Sequence, residues 1–247
     1  MRTLGIDLST AETQTAACAL HWDGVEGRDL GGPPRVGLTD GALLAAMADP
    51  DRVGIDAPFG WPDPFRVAID AWSERGEWLA GPERGPLRLR RTDLLAVQPG
   101  SRPMSVSADR LGATAMRCAH LLAEHHLARG EPLDRVGGHA LEVYPAGAFA
   151  AWGYADARRY KEPGAGELRR RLAERLQDDA DLELGEATVA ACATSDHALD
   201  ALVCALVTRA AALGLTRPVP PDEDAARIAR EGWIHLPLPD SLGRLAR

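Results

Sequence analysis

The sequence predicts an α/β protein whose mixed sheet is covered by helices on both faces. Two observations predict it. The chain begins with two apolar runs of strand length joined by a short turn, and strand-like and helix-like runs then alternate to the end. A third observation bears on function: several of the predicted strands carry an acid at or near the point where the chain turns.

In order, "RTLGIDLS" (2–9) and "QTAACALHW" (14–22) read as a hairpin around "TAET". A weaker third strand is expected between Val25 and Val36, interrupted by "GGPP". Residues 39–47 read as a short helix capped by Thr39 or Asp40. "DRVGIDAPFGWP" (51–62) is a buried strand stopped by Pro and Gly, and 65–80 reads as helix. The Pro-, Gly- and Arg-rich stretch at about 81–106 is expected to be an insertion over the end of the sheet, mobile or functional. Ser107 is expected to cap a helix running to about Arg129, with Leu111, Ala115, Cys118 and Leu122 on one face. "HALEVYPAG" (139–147) is a strand, a charged helix follows at 166–177, another begins at Ser195, and "EGWIHLP" ends the pattern.

The 247 residues fit one large domain, and an apolar fraction of 45% is enough for a sizeable core. No apolar run approaches a membrane span. The N-terminus leads straight into a strand without a signal peptide. The four cysteines show no CxxC spacing, which points to reduced thiols, a cytoplasmic location and no zinc site. A formal net charge of −8 argues against coating nucleic acid through the overall field, so a polyanion would need a local basic patch or metal ions.

"SDHALDALVCALVTRAAALG", from Ser195, places Asp200 inside an apolar helix. At about 100° per residue, Asp196, His197 and Asp200 share a face that continues as Val203, Cys204 and Val207. An acid on such a stripe needs a partner or a metal. Asp7 after "LGI" and Asp56 after "VGI" occupy equivalent ends of two strands, where ligands of open α/β sheets gather. Glu142 lies in "ALEVYP". Clustered carboxylates repel one another and commonly bind a hard divalent cation. Each residue also has a plain reading: Asp196 as a helix cap, His197 as a first-turn residue, Asp7 and Asp56 as turn residues, Glu142 as the partner of an arginine.

"GIDLS", "GIDAPFGWP", "RRTD", "PMSVSAD", "LEVYPA", "YK", "DHALDALVCAL" and "EGWI" together resemble a domain-of-unknown-function family, number 429, described as predicted nucleases of the RNase H fold. "HALDALVCAL" is more distantly similar to the pattern of RuvC-type resolvases. The resemblance spans nearly the whole chain. It implies a five-stranded mixed sheet of order 3-2-1-4-5, with strand 2 antiparallel to the rest. It also implies Asp7, Asp56, His197 and Asp200 as site residues, with Asp196/Asp200 as the alternative helical pair. The chain departs from the RuvC pattern in carrying Asp, not Glu, on the fourth strand.

The expected activity is phosphodiester hydrolysis by metal-activated water. Two Mg²⁺ or Mn²⁺ ions are expected, with Asp7 bridging both, Asp56 on one, Asp200 with Asp196 or His197 on the other, and Glu142 nearby. Arg88, Arg90, Arg91, Ser105 and Lys161 are candidate contacts for a nucleic-acid phosphate. "GIDLST" also resembles the first phosphate loop of the sugar-kinase, actin and heat-shock ATPase superfamily, but no second Gly-rich phosphate loop follows a later strand. A non-catalytic domain that binds metal or nucleic acid is the third reading.

Overall fold

The computed structural model describes residues 1–24, 26–29, 32–80, 83–107 and 110–246. The strands are β1 (Arg2–Asp7), β2 (Ala16–Trp22), β3 (Gly27–Asp29), β4 (Arg35–Val36), β5 (Arg52–Asp56), β6 (Ala140–Val143), β7 (Leu182–Glu183) and β8 (Ile234–His235). The helices are α1 (Asp40–Met47), α2 (Asp63–Arg75), α3 (Gly85–Arg88), α4 (Arg91–Leu95), α5 (Leu111–Arg129), α6 (Pro145–Ala151), α7 (Gly166–Asp179), α8 (Glu186–Thr194), α9 (Asp196–Ala212) and α10 (Ala225–Glu231).

The strands form one mixed sheet in the order β7-β3-β2-β1-β5-β6-β8, with β4 pairing β2. β2 runs antiparallel to β1, β3 and β4, whereas β1, β5, β6 and β8 are successively parallel. The middle of the sheet, β3-β2-β1-β5-β6, follows the expected order. Among the described residues the sheet has eight strands, not five, because β4, β7 and β8, of two residues each, add to it. Strands that short leave no alternation to read. The expected third strand is split into β3 and β4; Val25, Leu30 and Gly31 of that stretch lie outside the described residues.

Side chains alternate across the sheet, as a period of two requires. Leu4, Ile6, Val53 and Ile55 face Leu43 and Met47 of α1 and Cys118, Leu121 and Leu122 of α5. Cys18, Leu20 and Trp22 face the opposite layer, built on α9 with Phe149 of α6 and Leu172 and Leu176 of α7. Helices therefore cover both faces. α9 is buried from Ala198 through Ala210, because it lies between the sheet and a further layer of helices. The apolar stripe predicted for it is in fact most of its circumference. The four cysteines are buried and unbridged. No helix among the described residues is long and apolar enough to cross a membrane.

The stretch at 81–106 contains α3 and α4 and wraps a buried arginine; Gly81 and Pro82 lie outside the described residues. Ser107 does not cap α5, which starts at Leu111; its hydroxyl donates to the Leu87 carbonyl at 2.5 Å. Ala108 and Asp109, the end of "PMSVSAD", are likewise outside the described residues.

Candidate metal centre

Two "GID" triplets in parallel register build the floor of the site. Gly5 pairs with Gly54, Ile6 with Ile55 and Asp7 with Asp56. The isoleucines point to the α5 side, so the glycines and aspartates point to α9. A Cβ on Gly5 would strike the Ala201 carbonyl and the Ala205 amide of α9, and one on Gly54 would strike the Thr208 hydroxyl. A glycine in a strand often marks such a backbone approach. With α9 seated this deep, Asp200 reaches the ends of β1 and β5. Asp7, Asp56 and Asp200 each present a carboxylate oxygen, and these atoms lie within 4.8 Å of one another.

The start of α9 is fixed by Ser195, whose hydroxyl accepts from the Ala198 amide at 3.3 Å. Ser195, not Asp196, is thus the cap, and Asp196 is the first helical residue. His197 lines the same cleft as Asp7 and Asp56, and its Nδ1 donates to Asp7 Oδ2 at 2.6 Å. That hydrogen bond raises the imidazole pKa, with burial opposing it. Asp196 is not among the residues lining the cleft or forming the carboxylate cluster.

Asp200 is fully buried. Tyr160 donates its hydroxyl to Oδ1 at 2.5 Å, while Oδ2 makes no aligned hydrogen bond and meets the Lys161 ammonium at 2.6 Å. Burial pushes the Asp200 carboxyl up to about 6, with Lys161 working against the rise and Asp7 adding to it. Asp56 is also raised well above the carboxylate range, by burial first and then by repulsion from Asp7. Lys161 is held protonated chiefly by Asp200.

Glu142 does not join the three aspartates. It is buried, and its oxygens accept from Arg90 Nη2 at 2.6 Å, from Arg90 Nη1 at 2.8 Å and from the Phe59 amide at 2.9 Å. Burial raises the Glu142 pKa, and Arg90 offsets part of the rise. Burial works against the Arg90 charge, but Glu142 and Asp93 outweigh it and keep the guanidinium protonated. Arg90 lines the cleft but is only 1% exposed, and its guanidinium is engaged inside the protein by Glu142, Asp93 and the Glu231 carbonyl.

Arg91 reaches Glu223 through three contacts of 2.6–2.9 Å and does not line the cleft. Ser105 is buried and donates to the Arg88 carbonyl at 2.6 Å, bracing the loop. Arg88 is exposed and does not line the cleft. Lys161 does line it, beside the aspartates.

"RRTD", "LEVYP" and "EGWI" thus form one clamp. Arg90 joins Glu142; the Glu231 carboxylate accepts from the Arg91 amide at 2.6 Å and the Asp63 amide at 2.8 Å; Thr92 accepts from the Ile234 amide at 2.8 Å. Tyr160, Asp93 and Glu231 were not singled out from the sequence. Tyr160 carried a signal, since it adjoins Lys161 and a buried Asp200 required a donor.

The cleft encloses about 270 Å³, with Leu8, Pro58, Met104 and Val143 among its apolar walls. A second hollow of about 580 Å³ runs past Trp61, Phe65 and Ile69, and none of the three aspartates lines it.

Fold and site define a mixed α/β protein with a carboxylate cluster at the ends of two parallel strands. The chain matches DUF429, a family described as of unknown function, over residues 5–225, and belongs to that family. No curated protein and no solved structure matches it.

Proposed function

We propose that the chain is a divalent-metal-dependent nuclease on a single RNase H-like domain, with Asp7, Asp56 and Asp200 as the ligands of Mg²⁺ or Mn²⁺. The observation that supports it most is the convergence of these carboxylates within 4.8 Å at the ends of β1 and β5. The donor set fits the ion: hard oxygens, one of them the buried Asp200 Oδ2 without an aligned hydrogen bond. A cation bound there would supply a Lewis acid and lower the pKa of a water molecule.

The chain's own residues do the rest. His197 engages Oδ2 of Asp7, which orients the carboxylate and leaves Oδ1 for the ion. Tyr160 fixes Asp200 in the same way through Oδ1. The clamp around Arg90 holds β6 and the loop after β5 at the wall of the cleft. The apolar walls limit water around the reacting phosphodiester. The four unbridged thiols accord with a reducing, cytoplasmic setting.

The test is thermal melting of wild type and Asp7→Asn with and without Mn²⁺, beside cleavage assays on single-stranded, duplex and branched DNA and RNA. A Mn²⁺-induced rise in melting temperature and Mn²⁺-dependent cleavage are expected in wild type, both lost in the variant. No rise in wild type would overturn the metal centre. A rise without cleavage of any substrate would favour a metal-binding domain.

A further inference from the structure

We infer that Lys161 stands as the second cation of this centre, so that the three aspartates hold one divalent ion and not two. This rests on the metal-centre reading above and deepens it. The Lys161 ammonium lies 2.6 Å from Oδ2 of Asp200, so one oxygen of this carboxylate already faces a positive charge. The side chain is 52% exposed, yet its head is turned into the cluster, the usual arrangement for a long stem with a charged tip.

Its backbone is anchored. The preceding Tyr160 is buried, donates to the other Asp200 oxygen, packs tilted against Phe149 with ring centres 5.4 Å apart, and accepts at its carbonyl from Arg169 at 2.9 Å. Adjacent residues of one segment therefore face both oxygens of Asp200, Tyr160 through a hydrogen bond to Oδ1 and Lys161 through its charge at Oδ2. Charge gives the same answer. With the His197 imidazole neutral, three carboxylates and one ammonium leave an excess of two negative charges, which one divalent ion neutralises. A second ion would turn the cluster positive and face the ammonium at close range, where like charges repel strongly. Lys161 also lines the cleft with Asp7, Asp56 and His197, so its ammonium fronts the space a phosphoryl group would enter.

The experiment is calorimetric titration of the full chain with Mn²⁺, for wild type, Lys161→Gln, Lys161→Met and Lys161→Arg, each checked for folding by its melting curve. Wild type and Lys161→Arg are expected to bind one ion. Both charge-free variants are expected to bind their first ion about tenfold more tightly or better, because a repelling charge is gone. Two ions in wild type would overturn the role of Lys161 and leave the metal centre standing, as would unchanged affinity in both charge-free variants. No ion in wild type would overturn the metal centre itself, and the Lys161 role with it.

Discussion

Gly5 and Gly54 face each other across the β1–β5 pair, and each leaves the space that α9 fills. The two acids that follow them gain their meaning from this. Without the glycines α9 would ride higher on the sheet, and Asp200 would fall short of Asp7 and Asp56. Gly5→Ala should destabilise the protein by about 1–3 kcal/mol or more, since its Cβ meets helix backbone and not a side chain that can turn aside. Urea unfolding measures the loss, and Mn²⁺ titration should show weakened binding in the same variant. An alanine accepted without penalty would mean that α9 does not sit against β1 at this depth.

Arg90 and Arg91 are neighbours with opposite fates, and their variants should differ accordingly. Arg90→Ala leaves Glu142 and Asp93 buried without their cation, a break that costs roughly 3–5 kcal/mol. Arg91→Ala removes a half-exposed pair with Glu223 and should cost about 1 kcal/mol or less. Denaturant midpoints decide it. Equal and small losses at both positions, with nucleic-acid binding impaired, would favour the phosphate role that the sequence suggests for Arg90 over a structural one.

The sequence carried the sheet's centre and the aspartates because both have strong local signals. "LGID" and "VGID" are apolar runs ending in an acid, and Asp200 is conspicuous on an apolar helix. The edges were silent, because β4, β7 and β8 are two residues long and α6, "PAGAFAA", follows β6 with only a proline to mark it. The burial of Arg90 was not legible, for a physical reason. An arginine in a Pro- and Gly-rich loop has the composition of a solvated or phosphate-binding residue, and its burial depends on Glu142, 52 positions away. Pairings at that separation are a property of the fold, not of a window of sequence. His197 and Asp196 share a helix face equally well on paper, and only the seating of α9 separates them.

The acids of the centre should make the metal-free protein less stable as the pH rises. Asp200 moves from an ordinary 3.8 up to about 6 in the folded state, chiefly because it is buried. Between those values the folded chain keeps a proton that the unfolded chain has lost. Its stabilising contribution is therefore complete below about pH 4 and gone once the pH passes about 6. Asp56, raised by burial and by Asp7, acts in the same direction. His197, raised by its hydrogen bond to Asp7, contributes stability below its ordinary 6.5 that is lost as the pH climbs through its higher folded value. The stability difference between wild type and Asp200→Asn, measured in urea with chelator, should fall across pH 4–6, and the Mn²⁺-induced gain should grow over the same range. Differencing removes the surface acids common to both proteins. A flat difference would mean that the Asp200 carboxyl titrates as an ordinary one.

Asp56→Asn separates a metal centre from a turn more cleanly than the same change at Asp7. Asp7 accepts from the His197 imidazole at 2.6 Å, so an amide there loses the charge assistance of that hydrogen bond and obscures any relief of repulsion. Asp56 is opposed by burial and by the charge of Asp7, with Lys161 the largest influence in its favour. Asparagine keeps its size and removes the opposed charge. In the presence of chelator, Asp56→Asn should melt a few degrees above wild type, since about 1 kcal/mol shifts a chain of this size by roughly 2–4 °C. With Mn²⁺ the order should reverse, because wild type gains binding energy that the variant has lost. Calorimetric scans of both proteins, with and without Mn²⁺, read the crossing directly. If Asp56 merely ends β5, the two proteins should respond to Mn²⁺ alike and their order should not change.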